Sequence, residues 1–246
     1  MGPRGATIVL LLGVFCCALP ARAQIGPCRL DVNEDLQCGS GLGAARVIDD
    51  TQSPNKRLAF AWRVADGDPA EQPDDDDKIE LLLLRLKDGA ILGKSFTGFW
   101  ANSHGRSIDK LEEVTWSPNG RVAARVFQTR FETDTFELYA LDAKGELAGQ
   151  VDLFKIVEPA VREQMKGYVP PADGYSFSVQ AGKRLKLGND GALRLTVMMW
   201  LPKDGPEKYF DVTLRIARAK DGLSATIASI KPGRVPKSDA TPPASR

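Results

Sequence analysis

The run Ser53-Pro54-Asn55-Lys56-Arg57-Leu58-Ala59 returns sixty-four positions later as Ser117-Pro118-Asn119-Gly120-Arg121-Val122-Ala123. A turn signal followed by alternating apolar residues, met twice, points to one β unit used more than once. After the first turn Leu58, Phe60, Trp62 and Val64 alternate with Ala59, Ala61 and Arg63. After the second, Val122, Ala124 and Val126 alternate with Ala123, Arg125 and Phe127. Both read as strands with one buried face. A looser third copy opens at Gly188-Asn189-Asp190-Gly191, and Leu193, Leu195, Val197 and Met199 then alternate with Arg194, Thr196 and Met198.

Each copy is followed by a second apolar run that stops at a glycine turn. Ile79 to Leu84 leads into Lys87-Asp88-Gly89, Phe136 to Leu141 into Ala143-Lys144-Gly145, and Phe210 to Ile216 into Lys220-Asp221-Gly222. Glycine pairs of this kind are hairpin signals, because glycine reaches positive φ without a Cβ clash. Another short strand follows each turn, over 90–96, 146–154 and 223–230, and opening strands are predicted at 46–48, 113–116 and 175–179. The unit is strand, long connection, strand, tight turn, strand.

Trp116-Ser117-Pro118-Asn119-Gly120-Arg121, with Leu138-Tyr139-Ala140-Leu141-Asp142 downstream, resembles one blade of the TolB-type β-propeller repeat. In that repeat a Ser-Pro-Asp-Gly turn precedes one strand and a Leu-Tyr-x-x-Asp strand follows. The first copy has Lys56 where the repeat has glycine, the third keeps only an Asp-Gly turn, and the likeness spans about 46–231. Its motifs are structural and transfer no active-site residue. Closed propellers have about four to eight blades, so three units are too few to close as a monomer. The expected fold is therefore all-β, an antiparallel set of three propeller-blade-like hairpin repeats over 46–232, with a β-sandwich or barrel as the alternative. A homodimer is the route by which such repeats would close. One short helix is predicted near 158–166, with Pro159 in its first turn and Val161 and Met165 one turn apart.

The ends of the chain carry other signals. Arg4, the apolar stretch from Ile8 to Ala18 and Ala21-Arg22-Ala23 read as a signal peptide over 1–23, shorter than a membrane span, so the protein is expected to be secreted or periplasmic. Cys16 and Cys17 leave with it. Cys28 and Cys38 remain in the segment 24–45, and in an oxidising compartment they close a disulfide loop. The stretch 233–246, with Pro236, Pro242 and Pro243 among polar residues, reads as a disordered tail. The whole chain holds 33 Lys+Arg against 32 Asp+Glu, and the leader takes Arg4 and Arg22 and no acid. That balance gives no electrostatic case for nucleic acid or an anionic membrane.

Candidate chemistry is sparse. His104, in Ser103-His104-Gly105-Arg106-Ser107, is the one histidine, and no Gly-x-Ser-x-Gly elbow accompanies it. The acidic run Asp74, Asp75, Asp76 and Asp77 offers oxygens to Ca²⁺ but matches no calcium-loop spacing. Phe99 and Trp100, an aromatic pair beside Gly98, are candidates for contact with a sugar or a protein, whereas Trp62 and Trp116 read as core. No cofactor is implied. The expectation is an exported, non-enzymatic β-repeat module that binds a protein or ligand in the cell envelope. The alternative is a secreted hydrolase assembled from the connections between strands.

Overall fold

A computed structural model of the chain describes residues 23–32, 34–67, 79–96, 112–128, 132–167, 174–180, 184–201, 206–219 and 222–234. The architecture is all-β and antiparallel. The first sheet runs β1 (Cys28–Leu30), β2 (Leu36–Cys38), β3 (Ala45–Val47), β4 (Leu58–Val64), β5 (Ile79–Arg85) and β6 (Ala90–Lys94) in sequence order. The second is a four-strand meander of β7 (Glu112–Trp116), β8 (Val122–Gln128), β9 (Thr133–Leu141) and β10 (Leu147–Asp152). After helix α1 (Phe154–Gln164) the third sheet follows, with β11 (Ser176–Gln180) and β12 (Lys186–Leu187) both paired to β13 (Ala192–Trp200), then β14 (Glu207–Ala219) and β15 (Gly222–Pro232). The alternating runs of the sequence all become strands, and no closed barrel forms among the described residues.

The sheets stack face to face. Leu58, Phe60, Trp62, Leu81 and Leu83 of the first meet Ala123, Phe127, Tyr139 and Leu141 of the second, with Phe60 edge-on to Tyr139 at 5.1 Å between ring centroids. The opposite face of the second sheet, Ala124, Val126, Phe136 and Leu138, meets Leu193, Leu195, Val197, Val212 and Leu214 of the third, together with Val157, Val161 and Met165 of α1. Each fully buried residue of this size contributes about 1.5–3 kcal/mol by leaving water. The second sheet is thus covered on both sides, and the expectation of a single buried face fails for β4 and β8. Ala59 and Ala61 face a third cluster with Val47, Leu82 and Leu84, and Ala123 and Phe127 face the first sheet.

The third cluster exists because the N-terminal segment folds across the first sheet. Gln24 bridges Ala90, Ile25 N–H donates to Gly89 O, and Cys28 N–H donates to Leu86 O, so the segment that leads into β1 reaches the β6 edge. The sheet curls around Ile25, Leu36, Val47, Ala61, Leu82 and Leu84. The third sheet ends differently. Its outward face presents Arg194, Asp211 and Arg215 to solvent, and β13 shows strict alternation of buried and less buried positions.

The helix starts earlier than predicted, and Pro159 lies inside it. Leu153, Val157, Val161 and Met165 recur every four residues and are all fully buried, so packing of this stripe outweighs the backbone bond that proline removes. The third strand of the second unit consequently stops at Asp152, and Phe154, predicted to lie in it, opens the helix, where it packs edge-on to Phe177 at 5.4 Å.

Candidate functional site

The repeated turn is the same structure twice. Ser53 Oγ donates to Asn55 Oδ1 at 2.8 Å and accepts from Leu58 N–H at 3.1 Å, while Arg57 N–H donates to Asn55 Oδ1 at 3.1 Å. Ser117, Asn119, Arg121 and Val122 repeat all three bonds at 2.8, 2.9 and 3.0 Å. Serine and asparagine are needed because each satisfies backbone or side-chain donors that a tight turn leaves free. The fourth residue has positive φ, 55° at Lys56 and 65° at Gly120. In the third copy Asp190 takes the asparagine's place, accepting from Ala192 N–H, and Gly191 has φ 72°. That hairpin closes one residue sooner, between Gly188 N–H and Ala192 O.

In an antiparallel meander the first and third turns of a sheet lie at the same end. Leu86 N–H donates to Arg57 O in the first sheet and Leu141 N–H to Arg121 O in the second, which places four turns at one edge of the stack. Between the two sheets at this edge runs a groove of about 810 Å³. Its walls carry Lys56, Arg57 and Lys87 from the first sheet and Arg121 and Lys144 from the second, all exposed. None of these five is in an ion pair among the described residues.

The remaining charges of the groove are spent. Arg85 binds Asp88 through Nε at 3.0 Å and Glu146 through Nη1 at 2.8 Å, which joins the two sheets. The Arg85 hydrogen bond holds the Asp88 carboxyl below its usual range against the opposing effect of burial. Asp142, the one acid of the lining, accepts from the N–H groups of Lys144 and Glu146 through Oδ1. A smaller groove of about 360 Å³ lies at the same edge between the second and third sheets. There Arg218 donates to Leu141 O and Arg121 O, each at 2.9 Å, and closes the seam, while the lining Asp190 is paired with Arg194.

The most buried charges lie deeper between the first two sheets. Arg125 Nη1 meets Glu137 Oε2 at 2.7 Å, and the side chains are 0% and 1% exposed. Glu137 also accepts from Tyr139 O–H, Ser95 Oγ and Phe96 N–H. A carboxylate so enclosed is out of reach of a substrate. It secures the chain where it leaves β6.

Of the residues singled out from sequence, Cys28 and Cys38 are directly opposite in the β1–β2 hairpin and joined as a disulfide. Trp62 is 6% exposed and Trp116 packs beside it in the core, its indole N–H donating to Thr51 O. Asp74, Asp75, Asp76, Asp77, Phe99, Trp100 and His104 lie outside the described residues, as do residues 1–22 and the stretch 235–246. Among the described residues no three His, Cys, Asp or Glu side chains cluster as metal ligands. The basic groove was not foreseen, because its cations are scattered over ninety residues and net charge averages them away. The available signal was a basic residue in each of four turns that a meander gathers at one edge. No protein-family pattern matches the chain, and no curated protein sequence matches it.

Proposed function

We propose that the protein is an exported, non-enzymatic β-repeat module that works by binding at the turn edge of a propeller-like stack. The observation that carries this reading is the groove between the first two sheets, where five cations from two walls, none in an ion pair among the described residues, face solvent. The deepest carboxylate among the described residues, Glu137, is consumed by a structural network. Export is supported by the leader-like segment and by the Cys28–Cys38 bond, which persists in oxidising compartments. No helix among the described residues is long and apolar enough to cross a membrane. The repeat is of the TolB type by its turn and strand pattern, used three times without ring closure.

The stack works as a monomer. Closing it with a second copy would bury Arg194, Asp211 and Arg215 on the outer face of the third sheet, and the first sheet's outer face already holds its own cover. Light scattering on mature protein is expected to give one chain, and a stable dimer would return ring closure to consideration. The functional test immobilises the mature protein and passes envelope and secreted fractions over it. A partner retained in stoichiometric amount at low salt and released at high salt is expected. Turnover on a panel of ester, glycoside and peptide substrates, with no partner retained, would replace this reading with the hydrolase.

A further inference from the structure

Resting on the binding-module reading, we infer that the groove between the first and second sheets is a docking site for an acidic segment of a partner polypeptide, one that interleaves carboxylates with apolar side chains. Two features select this occupant. The cations are divided between two walls: Lys56, Arg57 and Lys87 on one, Arg121 and Lys144 on the other. A compact anion would need donors converging on one point, whereas separated charges suit a ligand with several carboxylates along its length.

The floor is the second feature. Half-buried Leu86 lines the groove between the basic walls, above the buried Leu58 and Leu141, so a bound chain meets some apolar surface as well as charge. Among the described residues no aromatic side chain lines it, and single-stranded nucleic acid depends on such stacking platforms. A concave channel also cannot lie flat on a bilayer, which a surface-binding basic patch must do. Amide donors come from the turns themselves. Asn55 and Asn119 use Oδ1 for their own backbone, which leaves each Nδ2 at the groove edge.

The test uses fluorescence anisotropy with the mature protein and a labelled twelve-residue peptide that alternates Asp or Glu with Leu or Val. Binding is expected at low salt, weakening about tenfold or more in the triple variant Lys56→Glu/Lys87→Glu/Lys144→Glu and on addition of 500 mM salt. Lys155→Glu, on the exposed surface of α1, should bind as the parent does. If melting shows the triple variant unfolded, the neutral set Lys56→Gln/Lys87→Gln/Lys144→Gln replaces it, with a smaller loss expected. Equal or tighter binding of polyphosphate, a dT oligonucleotide or anionic vesicles would overturn the assignment, as would peptide binding that ignores the substitutions. If the peptide fails while the immobilised protein still retains a partner that charge reversal does not release, the groove assignment falls and the binding-module reading stands.

Discussion

The four-strand second sheet and the main path β11-β13-β14-β15 of the five-strand third sheet follow one antiparallel order in opposite surroundings. Counted from the closing bond of each first turn, Arg125 opposite Glu137 in the second sheet occupies the slot of Leu195 opposite Val212 in the third, and of Ala61 opposite Leu82 in the first. Two sheets fill the slot with apolar pairs and the middle one with a buried ion pair. The difference follows from the route of the chain. As it leaves β6 beside the second sheet, Ser95 Oγ and Phe96 N–H point inward, and a buried donor without an acceptor costs about 1–3 kcal/mol. Glu137 supplies that acceptor, and Arg125 and Tyr139 make its charge tolerable. The third sheet, with solvent on its outer face and an apolar inner one, has no such need.

Breaking the slot gives the largest effect. Arg125→Leu or Glu137→Val alone leaves one charge buried without its partner and should lower unfolding stability in urea by about 3–5 kcal/mol. The double substitution R125L/E137V copies the third sheet and should recover most of the loss, keeping the cost of the donors at Ser95 and Phe96. Asp211→Asn, on the exposed face of the third sheet, should move stability by no more than about 0.5 kcal/mol. Single substitutions at the slot that cost under 1 kcal/mol would remove the contrast between the sheets.

The two ends of the stack supply the next test. The first sheet hides its outer cluster under an N-terminal segment stapled by Cys28–Cys38, whereas the third exposes a polar face. Replacing both cysteines with serine should cost about 2–3 kcal/mol. Hydrogen exchange should then show protection lost in β1 to β3 and along the β6 edge, with β13 to β15 unchanged. Uniform loss across all three sheets would mean the cap and the stack unfold as one unit.

A smaller effect probes the contact between the second and third sheets. Gly149 lies where β10 crosses β15, and a Cβ there would stand 2.6 Å from Leu223 Cβ and 3.1 Å from Leu223 N. Backbone has to move to admit it. Gly149→Ala should cost about 1–2 kcal/mol by thermal or urea unfolding, from overpacking alone. A neutral result would mean that the seam is looser than the one between the first two sheets.

Much of this organisation is legible in the sequence, and the rest is lost for physical reasons. Strand positions follow from alternation and turn residues, so β4, β8 and β13 appear where Leu58, Val122 and Leu193 place them. Burial of both faces does not follow, because Ala59, Ala61 and Ala123 are as compatible with solvent as with a tightly packed neighbour. Arg125 and Glu137 look like ordinary outward positions until pairing sets them opposite each other in a covered layer. The basic groove depends on which turns share an edge, a property of connectivity rather than of any local run.

The finest comparison is between the first two turns, whose hydrogen bonds match while their fourth residues differ. Lys56 holds φ 55° where Gly120 holds 65°. An L residue in the left-handed region costs about 1–2 kcal/mol, and glycine returns about 0.4–1 kcal/mol of that through its freer unfolded chain. Lys56→Gly should therefore raise stability by about 0.5–1 kcal/mol, while Gly120→Ala, placed in the same conformation, should lower it. The same Lys56→Gly change removes a cation from the groove, so affinity for the acidic peptide should fall as the melting temperature rises. Stability and binding that decline together would instead mean that the Lys56 side chain supports the turn, and that a retained lysine at a glycine position reflects packing rather than recognition.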